Sequence, residues 1–325
     1  MYERIAGAVH AAETIAVFMH VRPDGDSVGS ALATKKFLSN LSKKVDVYIE
    51  NIGELRKNLA ILPGFDSIGK PKLKKYDLGI ALDCATAGRL GNACSGIYFS
   101  RCAERAVIDH HSVGDVSFAD ISVKEPAAAS TTQILFKIFS EIDASAIDLD
   151  VATCLYAGLI TDSGALTFSN TSEETLYVAL ELSKYGVDRN FLIQKLFKEE
   201  RPEVFRLKIR VLSRAEFLCG GKCGFIAFRS EDFAETGTTD LDTEGIINNI
   251  INIEGVVLAI AASEKDANCF QVSVRAKNGV SAAAFAEIFG GGGHVCAAGC
   301  RIFKGGDEAL EELKSAAERF MEGIK

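Results

Sequence analysis

Three short apolar runs of the chain each stop at a histidine or an aspartate. Thr14–His20 reads TIAVFMH, Leu78–Asp83 reads LGIALD and Arg105–Asp109 reads RAVID. Val45–Ile49 is a fourth run of the same kind. Helix signals lie between and after them. Asp26 and Ser27 open a stretch that continues to Asn40, and either residue makes a good N-cap. Further helices are expected over Ala127–Ile142 and Leu149–Leu159. Brief, unbroken apolar strands alternating with helices specify an α/β fold: a parallel sheet with helices on both faces. Such a sheet binds its ligands at the carboxyl ends of its strands. Those are the positions that hold His20 with Asp24 and Asp26, Asp83, and Asp109 with His110 and His111.

From Glu174 to Arg214 the pattern is helical with interleaved charge, and Asn190–Lys198 and Arg201–Arg214 read as a connector. The basic spacing of Arg206, Lys208 and Arg210 within it reads more readily as a solvated helix face than as the lining of a cleft. From about Leu218 the character changes. Strands are expected at Gly224–Arg229, Gly255–Ala262 and Cys269–Arg275, and helices at Thr243–Ile253, Val280–Phe289 and Asp307–Glu322. This describes a second, smaller α/β domain, with a ligand cleft expected between the two.

Composition removes several classes of function. With 48% hydrophobic and 25% charged residues the 325-residue chain can build ordinary packed cores. Its net charge of −8 lacks the basic footprint that long nucleic acid demands, so a nucleic-acid ligand is expected to be short. No apolar stretch reaches the ~20 residues of a membrane span. Met1–His10 shows no basic-then-apolar leader, so no membrane partner and a cytoplasmic location are expected. The nine cysteines are odd in number and most lie in apolar runs, as reduced thiols do. The pairs Cys219/Cys223 and Cys296/Cys300 lack the partners of a structural zinc site.

The histidines are the sharpest chemical signal. Of five, His20, His110, His111 and His294 adjoin aspartate clusters or glycines. In His20-Val-Arg-Pro-Asp24-Gly-Asp26, Pro23 and Gly25 form a tight turn that can present both carboxylates beside the histidine. Asp83 ends a buried strand, where an unpaired carboxylate is costly; its ordinary partner would be Arg89. Asp109-His110-His111 ends another strand, and Thr161-Asp162-Ser163-Gly164 follows the apolar helix VATCLYAGLI. Four or five aspartates with two or three histidines suit two adjacent divalent ions, the arrangement that serves phosphoryl chemistry. Mixed imidazole and carboxylate ligands favour Mn²⁺ over Mg²⁺. Near the C-terminus, Gly290-Gly291-Gly292-Gly293-His294 reads as an anion-binding loop, with a helix expected to begin near His294. Arg275, ending a strand just upstream, is a candidate phosphate clamp.

The order His20-x3-Asp24-Gly-Asp26, Asp83, Asp109-His110-His111, Asp162 and a terminal GGGGH…AAG resembles the DHH-family phosphoesterases, and within them the compact nanoRNase, or NrnA-like, branch. The resemblance spans nearly the whole chain. It implies a metal-binding catalytic domain over residues 1–187, a helical linker over 188–214 and a DHH-associated substrate domain over 215–325, with the active site in the cleft between domains. It implies two Mn²⁺ ions: His20, Asp24 and Asp83 on one, Asp26, Asp83, His110 and Asp162 on the other, with Asp83 bridging. His111 would contact the scissile phosphate and Asp109 would orient the histidines. Arg275, Gly291, Gly292, Gly293 and His294 would hold the nucleotide. Arg275 is followed by Ala276 where relatives often carry serine. The implied activity is hydrolysis of short oligoribonucleotides and of 3′-phosphoadenosine 5′-phosphate. A soluble cyclic di-AMP phosphodiesterase is the enzymatic alternative, and a nucleotide-binding regulator the non-enzymatic one. The family also implies a homodimer, for which the sequence shows no periodic seam.

Overall fold

Five strands build the sheet of the N-terminal half: β1 Thr14–Phe18, β2 Lys44–Tyr48, β3 Tyr76–Leu82, β4 Cys102–Asp109 and β5 Ile121–Lys124. The computed structural model describes residues 2–243 and 245–323. It divides the chain into a first unit that runs through Glu199 and a second that begins at Glu200. The helices of the first unit are α1 Glu3–Ala11, α2 Gly25–Asn40, α3 Asn92–Arg101, α4 Thr131–Asp143, α5 Leu149–Asp162, α6 Glu173–Ser183 and α7 Arg189–Ile193. The strand order is β2-β1-β3-β4-β5, and every neighbouring pair is parallel.

Alternation along the strands explains why the runs are apolar throughout. Ile15, Val17, Leu78, Ile80, Ala106 and Ile108 enter the large core beneath α1, α2, α4 and α5. Ala16, Phe18, Ala81 and Val107 pack on the opposite face against Cys94 and Tyr98 of α3. A strand buried on both faces has no polar side to show. Helices α1 and α3 and strand β5 join the elements expected from sequence, whose boundaries otherwise shift by a few residues.

The second unit has a six-stranded mixed sheet: β6 Glu216–Leu218, β7 Cys223–Phe228, β8 Leu258–Asp266, β9 Cys269–Ala276, β10 Gly292–Gly293 and β11 Ala297–Ile302. Its order is β10-β11-β9-β8-β7-β6, with only β7 and β8 parallel. The helices are α8 Pro202–Leu212, α9 Ser230–Thr236, α10 Ile246–Ile251, α11 Ala282–Glu287 and α12 Gly306–Glu322. One sheet face packs on α11 and α12, the other on α8 and α10. The helix expected over 243–253 is thus shorter. Glu244, like the domain ends placed at residues 1 and 325, lies outside the described residues. No helix among the described residues is long and apolar enough to cross a membrane.

The division between the units falls at Glu199/Glu200, inside the stretch 188–214. Leu192, in α7, is buried in the first unit's core, whereas Leu207 and Val211 of α8 are buried in the second's. The stretch 188–214 is therefore shared out by its apolar side chains. Of its basic residues, Arg210 bonds Asp232 at 2.5 Å and Lys208 approaches Glu200 at 3.8 Å, so both serve the second unit's own surface.

Helices α2 and α5 cross closely enough that glycine is required on both. A Cβ at Gly29 would lie 2.6 Å from the backbone oxygen of Cys154, and one at Gly158 would lie 2.4 Å from Thr132 Cγ2 and 2.9 Å from Asp26 Oδ1. Because backbone blocks Gly29, neighbouring side chains cannot move aside to make room. Gly29→Ala is expected to destabilise the first unit by about 1–3 kcal/mol. Urea unfolding followed in the first unit would read this as a lower midpoint with an unchanged slope.

Candidate metal centre

The strand order of the first unit reverses between β1 and β3, and a parallel sheet opens a crevice at such a point, beyond its strands' carboxyl ends. His20 follows β1 there, Asp83 follows β3, Asp109 ends β4 and Asp162 is the last residue of α5. Asp24 is the N-cap of α2: its Oδ1 accepts the N–H groups of Asp26 and Ser27, each at 3.1 Å. The cap is therefore Asp24 rather than Asp26 or Ser27, because Asp24 is the last extended residue before the helix. This leaves Asp26 buried in the first turn. Its two oxygens accept the N–H groups of Thr131 (2.7 Å) and Thr132 (3.0 Å) at the start of α4.

Asp83 is 2% exposed and occupies the centre. Its backbone has turned to φ +59°, which aspartate tolerates better than most residues, and its N–H still donates to the Ile108 carbonyl at 2.9 Å. Oδ2 lies 3.2 Å from His20 Nε2, and Oδ1 lies 3.6 Å from His110 Nε2 and accepts the Thr131 hydroxyl at 3.1 Å. His20 Nε2 is also 3.8 Å from Asp24 Oδ1, and His110 Nε2 is 3.1 Å from Asp162 Oδ2. The opposite ring nitrogens are held by backbone carbonyls: Nδ1 of His20 by Val21 at 2.8 Å, Nδ1 of His110 by Ala128 at 3.3 Å. With Nδ1 anchored in each case on a backbone carbonyl, Nε2 of each ring is turned toward the carboxylates, the orientation that metal-ligating histidines require.

Asp109 is fully buried. Its Oδ1 takes Nδ1–H of His111 at 2.8 Å, and its Oδ2 takes the His111 backbone N–H at 3.2 Å. The expectation that Asp109 orients both histidines is corrected on this point, since the carbonyl of Ala128 orients His110. Arg89 does not pair with Asp83 either; its Nη2 lies 3.0 Å from His20 Nδ1.

The groups brought together here are mutually coupled. Burial raises Asp26 well above the ordinary carboxylate range, and the charges of Asp83 and Asp162 add to it. Burial likewise lifts Asp162 to about 6, with Asp24 and Asp83 opposing its ionisation. Burial works against a charged His20, but Asp24 and Asp83 outweigh it and raise the group to about 10. The same balance, with Asp162, Asp83 and Asp26 as partners, raises His110 to about 10. Asp26 and Asp162 resist ionisation, Asp24 and Asp83 are held ionised against burial chiefly by the histidines, and the imidazoles retain protons: a donor set short of positive charge.

That donor set fits divalent cations. Three groups have ligand atoms within 4.8 Å of one another: His20, Asp24 and Asp83; Asp26, His110 and Asp162; and Asp83, His110 and His111. None contains a cysteine. Sequence reasoning missed Thr131 and Thr132, whose amides and hydroxyl fix Asp26 and Asp83. Their signal was the helix start at Ser130, whose hydroxyl caps Gln133 N–H at 3.1 Å.

In the second unit, Arg275 is on β9 and its Nη1 donates to the Val274 carbonyl at 3.1 Å. No helix begins at His294. The chain instead makes a hairpin: His294 N–H donates to Ala297 O at 2.7 Å, and Ala297 N–H returns to His294 O at 3.2 Å. The N–H groups of Gly290 and Gly291 are taken by the carbonyls of Glu287 and Ala286 at the end of α11. Glycine is required at 293, where φ is +148° and a Cβ would meet Ala297 O at 2.6 Å.

A parallel α/β sheet that gathers aspartates and histidines at its topological switch point is a scaffold able to hold divalent cations there. The first unit matches the model of the DHH family, N-terminal domain, over residues 14–159, and the second matches the DHHA1 domain over residues 225–323. The chain belongs to the DHH family. It is 32% identical over 316 residues to a Thermus thermophilus protein named bifunctional oligoribonuclease and PAP phosphatase NrnA, covering 96% of this chain and 89% of that one. A Bacillus subtilis protein of the same name is 25% identical over 307 residues, covering 93% and 94%. Among solved structures, an exopolyphosphatase-related protein from Bacteroides fragilis matches with a TM-score of 0.89 and 25% identity, covering 98% of this chain and 95% of that one.

The raised histidines give a direct consequence for metal loading. At pH 7.5 both His20 and His110 hold protons that ligation must displace, and Asp26 is shifted in the same direction, so metal binding is expected to release at least about two protons per chain. Calorimetric titration in buffers of different ionisation enthalpy measures this number, and it should fall toward zero as the pH is raised past 10.

Proposed function

We propose that this protein is a phosphoesterase with two divalent cations, Mn²⁺ foremost, that hydrolyses short oligoribonucleotides and removes the 3′-phosphate of 3′-phosphoadenosine 5′-phosphate. The observation that carries the reading is the placement of Asp83: its two oxygens face histidines of two different ligand groups, at 3.2 and 3.6 Å. His20, Asp24 and Asp83 hold one ion; Asp26, His110 and Asp162 hold the other with Asp83 shared between them. When bound, such a pair acidifies water and offsets charge on the attacked phosphate. The substrate class follows from the curated relatives' names and from a net charge of −8, which suits short ligands.

The chain's own residues then divide the work. His111, anchored through Nδ1 by Asp109, contacts the scissile phosphate through Nε2. Thr131 and Thr132 keep Asp26 and Asp83 from turning away. In the second unit, Arg275, Gly291, Gly292, Gly293 and His294 hold the nucleotide. A cytoplasmic location and a homodimer belong to the same reading.

Two substitutions separate metal holding from positioning. Asp83→Asn keeps a residue that accepts positive φ but removes the shared carboxylate; kcat should fall by about 10³-fold or more and the metal content should drop. Asp109→Asn should retain both ions while kcat falls by about 10–100-fold, because only the orientation of His111 is lost. Metal analysis beside kinetics checks both.

The assay that tests the reading sets RNA dimers through pentamers, 3′-phosphoadenosine 5′-phosphate and cyclic di-AMP side by side with Mn²⁺. Rapid cleavage of the linear oligomers and of the bisphosphate is the expected result. A preference for cyclic di-AMP would reassign the substrate, and turnover of none of them would overturn the reading.

A further inference from the structure

The sheet of the second unit is unevenly covered on the face that bears Arg275. Alternation along β9 puts Gln271, Ser273 and Arg275 on that face, while Phe270, Val272 and Val274 enter the core beneath α11 and α12. Toward β8 and β7 the face is closed: Ala259, Ala261, Ile226 and Phe228 pack with Leu207, Val211 and the isoleucines of α10. Toward β11 it is open. There Gly299 stands opposite Ser273 and Arg301 opposite Gln271.

A pocket of about 500 Å³ occupies this open half, within the size range of small-ligand sites. Its floor is bare backbone, with Gly291 and Gly299 so close that a Cβ on Gly291 would lie 2.3 Å from Gly299 O. Its polar wall is Gln271 and Arg301, and its aromatic walls are Phe289 and Phe303. Phe303 is 78% exposed, more than any other large apolar side chain of the described residues. The Arg301 side chain makes no ion pair among the described residues. Across β8 from Gln271, the hydroxyl of Ser263 has no hydrogen-bond partner although the residue is only 8% exposed. A flat exposed ring, an unpaired guanidinium and a floor without side chains together select a ligand with a planar base and a phosphate.

We propose that this pocket is a second nucleotide subsite, continuous with the first through Gly291 and Gly292, which holds the part of an oligoribonucleotide beyond the nucleotide held at Arg275. A base stacks on Phe303, its phosphate pairs with Arg301, and Gln271 meets the base edge. The assignment rests on the oligoribonucleotide reading above and supplies its length preference. Arg275 is opposite Ala297, four residues from Arg301 along β11, so the two arginines stand about 13 Å apart along the strand. A single nucleoside bisphosphate held at Arg275 does not extend that far, whereas an oligomer does.

The test is equilibrium binding of a fluorescein-labelled RNA pentamer, followed by anisotropy in EDTA so that no cleavage occurs, with 3′-phosphoadenosine 5′-phosphate measured by competition. Both altered side chains are exposed, so circular dichroism and the unfolding midpoint should match the parent protein. Phe303→Ala should weaken the pentamer about tenfold with an unchanged salt dependence. Arg301→Gln should weaken it and flatten the slope of log K against log salt by about 0.7. In both variants the ratio of pentamer to bisphosphate affinity should fall. Equal losses for the two ligands, or none, would overturn the subsite. Hydrolysis by the unaltered protein with Mn²⁺ is scored separately: pentamer binding that depends on Phe303 without cleavage would sink the phosphoesterase reading and leave the subsite standing.

Discussion

A single carboxylate, that of Asp83, is shared by the two histidines that define the centre. Burying an aspartate costs several kcal/mol unless its charge is matched. Here His20 and His110 face its two oxygens at 3.2 and 3.6 Å, and the Thr131 hydroxyl donates to one of them. The backbone itself leaves the extended region at this residue, with φ of +59°, which swings the side chain out of the strand line and into the crevice. Backbone held in that region is a cost that the surroundings must maintain, and here they do so through the hydrogen bond from Asp83 N–H to Ile108 O on β4.

The rest of the first unit can be understood as support for that placement. Helix α4 turns its first amides toward Asp26, so its N-terminal dipole faces a carboxylate held above its usual range by burial and by the charges of Asp83 and Asp162. Helices α2 and α5 approach through Gly29 and Gly158, and this close crossing brings Asp26 of one near Asp162 of the other. Each ligating histidine is held at its far nitrogen by a backbone carbonyl, and at His20 the Arg89 guanidinium stands beside it as well. Burial, with the charges of Asp24 and Asp83 beside it, raises Asp162 to about 6 against the pull of His110, a sign that the set is arranged for cations rather than for its own stability.

Much of this was legible in the residues, for a physical reason. Strands buried on both faces are uniformly apolar, so TIAVFMH, LGIALD and RAVID announced a parallel sheet, and the polar residue ending each run announced the edge where ligands bind. What stayed hidden depends on contacts distant in sequence. Thr131 and Thr132 look like ordinary first-turn residues until the fold carries them to Asp26, 105 residues earlier. The choice of Asp24 over Asp26 as cap depends on which residue is last to be extended. The division of the stretch 188–214 between the units was invisible because its apolar spacing does not say which core takes which helix. The helix expected near His294 failed for the opposite reason: glycine suits a helix end and a tight hairpin as well as a helix start, and here the first two amides of the run close α11.

The central claim is that Asp83 is shared by two adjacent divalent ions. Titration of the metal-free protein with Mn²⁺, followed by electron paramagnetic resonance and by free-metal analysis, tests it most directly. The account predicts two equivalents bound per chain, with the spectrum of an exchange-coupled pair replacing the six-line signal of isolated ions, and loss of that coupling in Asp83→Asn. One equivalent bound, or two that remain magnetically independent in the unaltered protein, would contradict it.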